Sequence, residues 1–77
     1  MIKEISNTAG KVWETLGKKG EVNIAQLPRT LKEKSAVVYQ SLGWLARENK
    51  VEYRSKGGKT MVSLTGVEKN SYEHVKG

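Results

Sequence analysis

Apolar side chains at Ile5, Ala9, Val12, Trp13 and Leu16 follow one another at gaps of four, three, one and three, which places all five on a single stripe of a helix. Gly17, Lys18, Lys19 and Gly20 then supply a stop signal and put cations near the negative helix end. Ser6, Asn7 and Thr8 can each cap, so the start of this first helix is set only to within several residues. Trp13 is expected in the core.

Glu21-Val22-Asn23 is too short for an independent strand, yet long enough to add one or two pairs to a sheet edge. Asn23 followed by Gln26 reads as an N-cap with its capping-box partner, opening a short helix that carries Ile24, Leu27 and Leu31 on one face. Pro28 removes one backbone donor, so a first turn to Leu27 and a distorted or restarted helix from Pro28 are expected. Lys32-Glu33-Lys34 forms a turn, and Ser35 is expected to cap the next helix. That helix runs from Ala36 to about Glu48, with Val38, Leu42 and Leu45 inside. A short helix, a tight turn and a longer helix make the helix-turn-helix pattern, here without the glycine often found in the turn.

Next come two alternating runs, Val51 to Ser55 and Thr60 to Leu64, joined through Lys56-Gly57-Gly58-Lys59. A two-residue Gly57-Gly58 turn pairs Ser55 with Thr60, Tyr53 with Val62 and Val51 with Leu64. Val51, Tyr53, Val62 and Leu64 then share one face, while Glu52, Arg54, Met61 and Ser63 share the other. A slip of one residue would mix the faces, so the pattern supports the register. Beyond Leu64 the chain is polar, with only Val67, Tyr72 and Val75 apolar. The expected organisation is one domain over residues 1–65 and a polar, frayed tail over residues 66–77, with at most a short helical turn around Tyr72.

With 77 residues, the chain has room for one core, near the lower limit for unaided folding. Cysteine is absent, so neither disulfides nor thiolate zinc sites reinforce it. The opening residues lack the apolar core of a signal peptide, and no apolar run is long enough to span a bilayer. The expectation is a cytoplasmic protein without membrane contact. Fourteen Lys and Arg oppose eight Glu, for a net charge of +6 and a pI near 9.7. Such an excess suits nucleic acid or an acidic partner, although lysines also serve simple solubility.

The order helix, edge strand, helix, helix, hairpin over residues 5–64 resembles the winged helix-turn-helix superfamily, an α+β fold, mainly helical, with three helices and a two-stranded wing. Two segments narrow the resemblance. Thr8-Ala9-Gly10-Lys11-Val12-Trp13-Glu14-Thr15-Leu16 and Leu42-Gly43-Trp44-Leu45-Ala46-Arg47-Glu48-Asn49-Lys50 are similar to signature segments of a family of short, stand-alone prokaryotic winged-helix proteins of unassigned function. The resemblance implies the fold without a target, since winged helices bind DNA, RNA or other proteins.

Catalysis has little to work with. The single histidine, His74, sits in the expected tail without a carboxylate pair or phosphate loop, so the reading is a non-enzyme with no cofactor, metal or small-molecule substrate. The Gly57-Gly58 pair is explained by turn chemistry rather than by a phosphate nest. For duplex DNA, a helix must enter the major groove with polar side chains, and cations must reach phosphates. With Val38 facing the core, Ala36, Tyr39, Gln40, Gly43 and Arg47 project outward. Gln40 has the geometry for a bidentate contact with adenine, and Arg47 for guanine or a phosphate. Lys34 and Ser35 stand where a phosphate approaches a helix N-terminus. Arg54, Lys56 and Lys59 belong to the wing tip, with Arg29 and Lys32 on the approach side. Residues 29–34 and 50–59 together supply +5 of the +6. Each residue singly is better explained as a solvated surface side chain, and the hairpin lysines as protection of a sheet edge. The clustering favours nucleic acid.

A second reading rests on Val37 and Trp44, seven residues apart and rotated away from the buried stripe. Gly10 and Gly43 each cost a helix about 1 kcal/mol relative to Ala, which a packing contact would justify. Either Trp44 covers the wing or the first helix, with the glycines admitting close neighbours, or it anchors a protein contact, most simply a homodimer. The function alternatives are therefore a DNA-binding regulator or accessory factor, and a protein-interaction winged helix.

Overall fold

The computed structural model describes residues 2–76, with side-chain environments over residues 5–74; Met1, Gly77 and the side chain of Val75 lie outside the described residues. The first amphipathic stripe winds into α1 (Ile2–Lys19), longer at both ends than the periodicity marks. Ala9, Val12 and Leu16 are buried, as the stripe requires. Gly17 does not stop this helix. Gly20 does, at φ 82°, with its N–H on the Leu16 carbonyl at 2.8 Å. A side chain there would be strained, which is the usual reason for glycine beyond a helix end.

Val22–Asn23 forms β1, and Asn23 Oδ1 accepts from the Ala25 N–H at 2.9 Å to cap a 3-10 turn, Ile24–Gln26. The chain restarts as α2 (Leu27–Leu31), with Pro28 in the first turn, where a missing N–H costs least. Lys32 then takes φ 56°, supplying the left-handed residue that a glycine often provides. Ser35 is not the cap. It is the first residue of α3 (Ser35–Arg47), and Lys34, in extended conformation, holds the cap position without a side-chain bond. Val38, Leu42 and Leu45 are buried as expected, and Ser41 joins them. Its hydroxyl lies 2.8 Å from the Val37 carbonyl and 3.2 Å from that of Ile5, so a polar group is buried without being orphaned.

The hairpin consists of β2 (Val51–Lys56) and β3 (Lys59–Leu64) in the register that the alternation predicts. Gly57 and Gly58 both have positive φ, as a primed two-residue turn demands. β1 pairs with β3 through Val22 and Val62, so the short edge strand exists and the order is β1-β3-β2. Val51, Val62 and Leu64 are buried against the helices. Tyr53 shares their face but is 46 % exposed, because it lies on the edge strand β2, whereas its partner Val62 on the central strand is fully covered.

The expected frayed tail is instead a fourth helix, α4 (Gly66–Lys76). Its partly buried Tyr72 packs at the core edge, ring to ring with Trp13 in an edge-on arrangement at 5.2 Å. Trp13 Nε1 donates to Glu68 at 2.8 Å. Trp13 therefore belongs to the α1–α4 junction rather than to the core proper. Thr65 fastens the base of the hairpin: its N–H bonds the Lys50 carbonyl and its hydroxyl the Asn49 carbonyl, both at 3.1 Å. The fold is thus a mainly helical winged helix with four helices and a three-stranded sheet. No helix among the described residues is long and apolar enough to cross a membrane.

Candidate nucleic-acid interface

With one side of α3 committed to the core, the helical repeat leaves Ala36, Tyr39, Gln40, Gly43 and Arg47 on its solvent side, and all five are exposed. Tyr39 is 45 % exposed, a large ring left nearly half open to solvent. Nothing approaches within 4 Å of a Cβ built on Gly43, so no internal contact accounts for a glycine at this point of α3. Gln40 stands at the margin of the row and shares an apolar hollow with Ile5, Ser6 and Trp44. At the start of α3, Lys34 and Ser35 are exposed, and the first N–H groups of the helix have no side-chain cap. A lysine ion pair, Lys11 with Glu33, ties the preceding turn to α1.

The other expected cations fall on the hairpin, and strand alternation fixes their direction. Because Val51, Val62 and Leu64 point inward, Arg54 and Lys56 of β2 and Lys59 of β3 occupy the opposite, outer face. Lys56 and Lys59 are directly paired next to the turn. The positions turned the same way as the core, Tyr53, Ser55 and Thr60, are neutral. The wing cations therefore form a group of their own rather than continuing the α3 row side by side.

Sequence reasoning passed over the residue that organises this group. Glu21 accepts from Lys56 Nζ at 3.0 Å and lies 3.7 Å from Arg54 Nη1. The hydrogen bond from Lys56 acts most strongly on its carboxyl and, together with the charges of Lys56, Arg54 and Lys69, outweighs desolvation and holds it below the ordinary value of 4.5. Treating Val22–Asn23 as a real edge strand would have brought Glu21 to this face. Burial alone raises the Tyr53 hydroxyl above its usual 10.0.

Val37 and Trp44 do share one side of α3, the side next to α1. Val37 is half-buried at a hollow it shares with Asn7, Thr8 and Lys11, whereas Trp44 is 44 % exposed beside Ser6 and Gly10. Gly10, like Gly43, has open space where a side chain would stand, so neither glycine serves close packing within the domain. His74 is exposed on α4, with Nδ1 2.9 Å from the Asn70 carbonyl.

Comparison with known proteins bears on the fold and the family. No curated protein matches the sequence. Among solved structures the chain is similar to protein BT2368 from Bacteroides thetaiotaomicron, with 34 % identity and a TM-score of 0.74 over 84 % of this chain and 79 % of that one. In fold alone it is similar to HlyU from Vibrio vulnificus, a transcriptional regulator, with 18 % identity and a TM-score of 0.78 over 97 % of this chain and 79 % of that one. It also resembles a mutant of ZitR from Lactococcus lactis, with 15 % identity and a TM-score of 0.81 over 97 % of this chain. The chain spans 58 % of that ZitR chain and 49 % of another. Residues 1–64 match the family described as Winged helix-turn-helix domain (DUF2582), and the chain belongs to that family.

Proposed function

We propose that this domain binds duplex DNA, with α3 along the major groove and the hairpin cations on neighbouring phosphates, as a regulator or accessory factor of transcription. The observation that carries the reading is the uncovered outer row of α3, with Gln40 and Arg47 on it, next to a helix start bearing Lys34 and Ser35. Arg54, Lys56 and Lys59 add three cations on a protruding hairpin. A groove-reading helix needs polar side chains facing outward and phosphate contacts to hold its register. The same fold in HlyU, a transcriptional regulator, and in the adhesin competence repressor AdcR of Streptococcus pyogenes is in keeping with this use. No side-chain constellation singled out in the sequence suits catalysis, so the reading is a binding protein rather than an enzyme. Fluorescence anisotropy with random duplex DNA over a salt series tests it. Binding at low salt that weakens steeply with salt is expected, and no binding at low salt overturns it.

Trp44 supports a second reading. A tryptophan 44 % exposed, beside Ile5 and Gln40, is a suitable anchor for a protein contact, most simply a second copy of this chain. Such a contact would be far less sensitive to salt than phosphate binding.

A further inference from the structure

Glu21 is an anion set among cations, and each of its carboxylate oxygens faces a different one. Oε1 lies 3.0 Å from Lys56 Nζ and Oε2 lies 3.7 Å from Arg54 Nη1. Glu21 immediately precedes β1, whereas both cations belong to β2, and β3 runs between the two strands. The carboxylate therefore reaches over the central strand to hold them. Lys59, paired with Lys56 in the hairpin, lines the adjoining hollow of about 310 Å³ together with Lys19 and Glu21.

A group with two anionic oxygens, each meeting a cation, is also how a phosphate is held between basic side chains. Both cations are about two-thirds exposed, so a larger anion has access to them from solvent. Surface ion pairs are weak enough to be exchanged for another anion. Lys19 and Lys59 border the same hollow as Glu21, adding positive charge to what an incoming anion would meet.

We propose that Arg54 and Lys56 form a clamp for a phosphate group, which Glu21 occupies as an internal substitute and which an incoming phosphate must take from it. The proposal rests on the nucleic-acid reading for the source of that phosphate, and it deepens that reading by making the wing self-competing. When a backbone phosphate enters, Glu21 is released as a free carboxylate beside the duplex. Wild-type binding is then weaker, and less dependent on salt, than the cations alone would give.

Two titrations at constant ionic strength separate the clamp from the reading beneath it, using wild type, Glu21→Gln and Glu73→Gln. The last makes the same charge change on exposed α4. With inorganic phosphate, read from the backbone amides of Arg54 and Lys56, Glu21→Gln is expected to bind about threefold or more tighter than the other two, the scale on which surface pairs compete. Equal phosphate affinity in Glu21→Gln and Glu73→Gln overturns the clamp, because net charge alone then accounts for any gain. With random duplex DNA, titrated at each of several fixed salt concentrations, Glu21→Gln should show a salt slope steeper by about one unit than Glu73→Gln. Identical slopes in the two variants also overturn the clamp. Should phosphate separate the variants while no duplex binds at low salt, the clamp stands and the nucleic-acid reading falls.

Discussion

A Cβ placed on Gly17 would stand less than 3.0 Å from Cδ1, Cε1 and Cγ of the Tyr72 ring, closer than real side chains approach. The seat of α4 on α1 is thus made by the absence of a side chain. Gly17→Ala must push Tyr72, and α4 with it, away from Trp13. Overpacking of this kind costs about 1–3 kcal/mol, set against a gain of up to about 1 kcal/mol in helix propensity. Urea melts followed by tryptophan fluorescence should show a net loss. A stabilised Gly17→Ala would show that α4 does not dock there.

Gly10→Ala and Gly43→Ala provide the contrast, since both positions face open space. Each should stabilise the fold by about 0.5–1 kcal/mol in the same melts. A loss at either position would reveal a neighbour that the open space denies.

Leu42 is 2 % exposed within the core that α1, α3 and the sheet share. Leu42→Ala should cost about 2–5 kcal/mol through reduced burial and the cavity left behind. In so small a domain that is enough to leave many molecules unfolded at room temperature. Chemical denaturation giving less than about 1 kcal/mol would mean that α3 is wrongly phased.

The pairing of Glu21 also has a pH signature. Its carboxyl titrates below the ordinary 4.5, so the contribution of its ion pairs is fully present above that value and is lost as pH falls through the lower, folded-state value. Melting temperatures of wild type and Glu21→Gln should therefore run parallel near neutral pH and converge in acid. Curves that stay parallel down to about pH 3 would rule out a folded-state shift at Glu21.

On duplex DNA, Lys59→Ala and Lys56→Ala should weaken all sequences about equally, and each should lower the salt slope by about one unit if its lysine neutralises one phosphate. Gln40→Ala should act on sequence preference instead, losing on the order of 1–3 kcal/mol at a preferred site and little on random DNA. Anisotropy titrations with both kinds of duplex distinguish these patterns. A Gln40→Ala defect equal on every sequence would take Gln40 off the groove floor. If the domain pairs with itself through Trp44, sedimentation should show a concentration-dependent dimer that Trp44→Ala weakens. A monomer from micromolar to millimolar concentration excludes that contact.

The hairpin was legible because two independent signals agreed, a Gly57-Gly58 turn and a strict alternation on both sides of it. The inner stripe of α3 was legible for a similar reason, its period being unbroken from Val38 to Leu45. α4 was not, because periodicity registers the side chains that fill a core and not the socket that receives them. Tyr72 finds its place against Gly17, a residue that reads as a helix stop when taken by itself. The turn before α3 concealed its left-handed residue for a related reason, since Lys32 adopts a conformation that sequence statistics assign to glycine. Of the candidate interface, the outward row of α3 could be read from spacing. The partnership of Glu21 with Arg54 and Lys56 could not, because it joins strands that are not neighbours in the sheet.

Thr65 clasps the hairpin to Asn49 and Lys50 at its base, while the residues of the Gly57-Gly58 end are exposed. The wing is therefore anchored by backbone and hydroxyl bonds at its base and held further out by the exchangeable pairs of Glu21, and its tip can change in length without disturbing the basal anchorage. Strand parity governs what such a change does. Lengthening both strands by one residue near the tip turns the terminal lysines towards the helix side, and lengthening both by two returns them to the outer face. A hairpin of this build can re-aim its charge by insertion alone, with every core residue left in place.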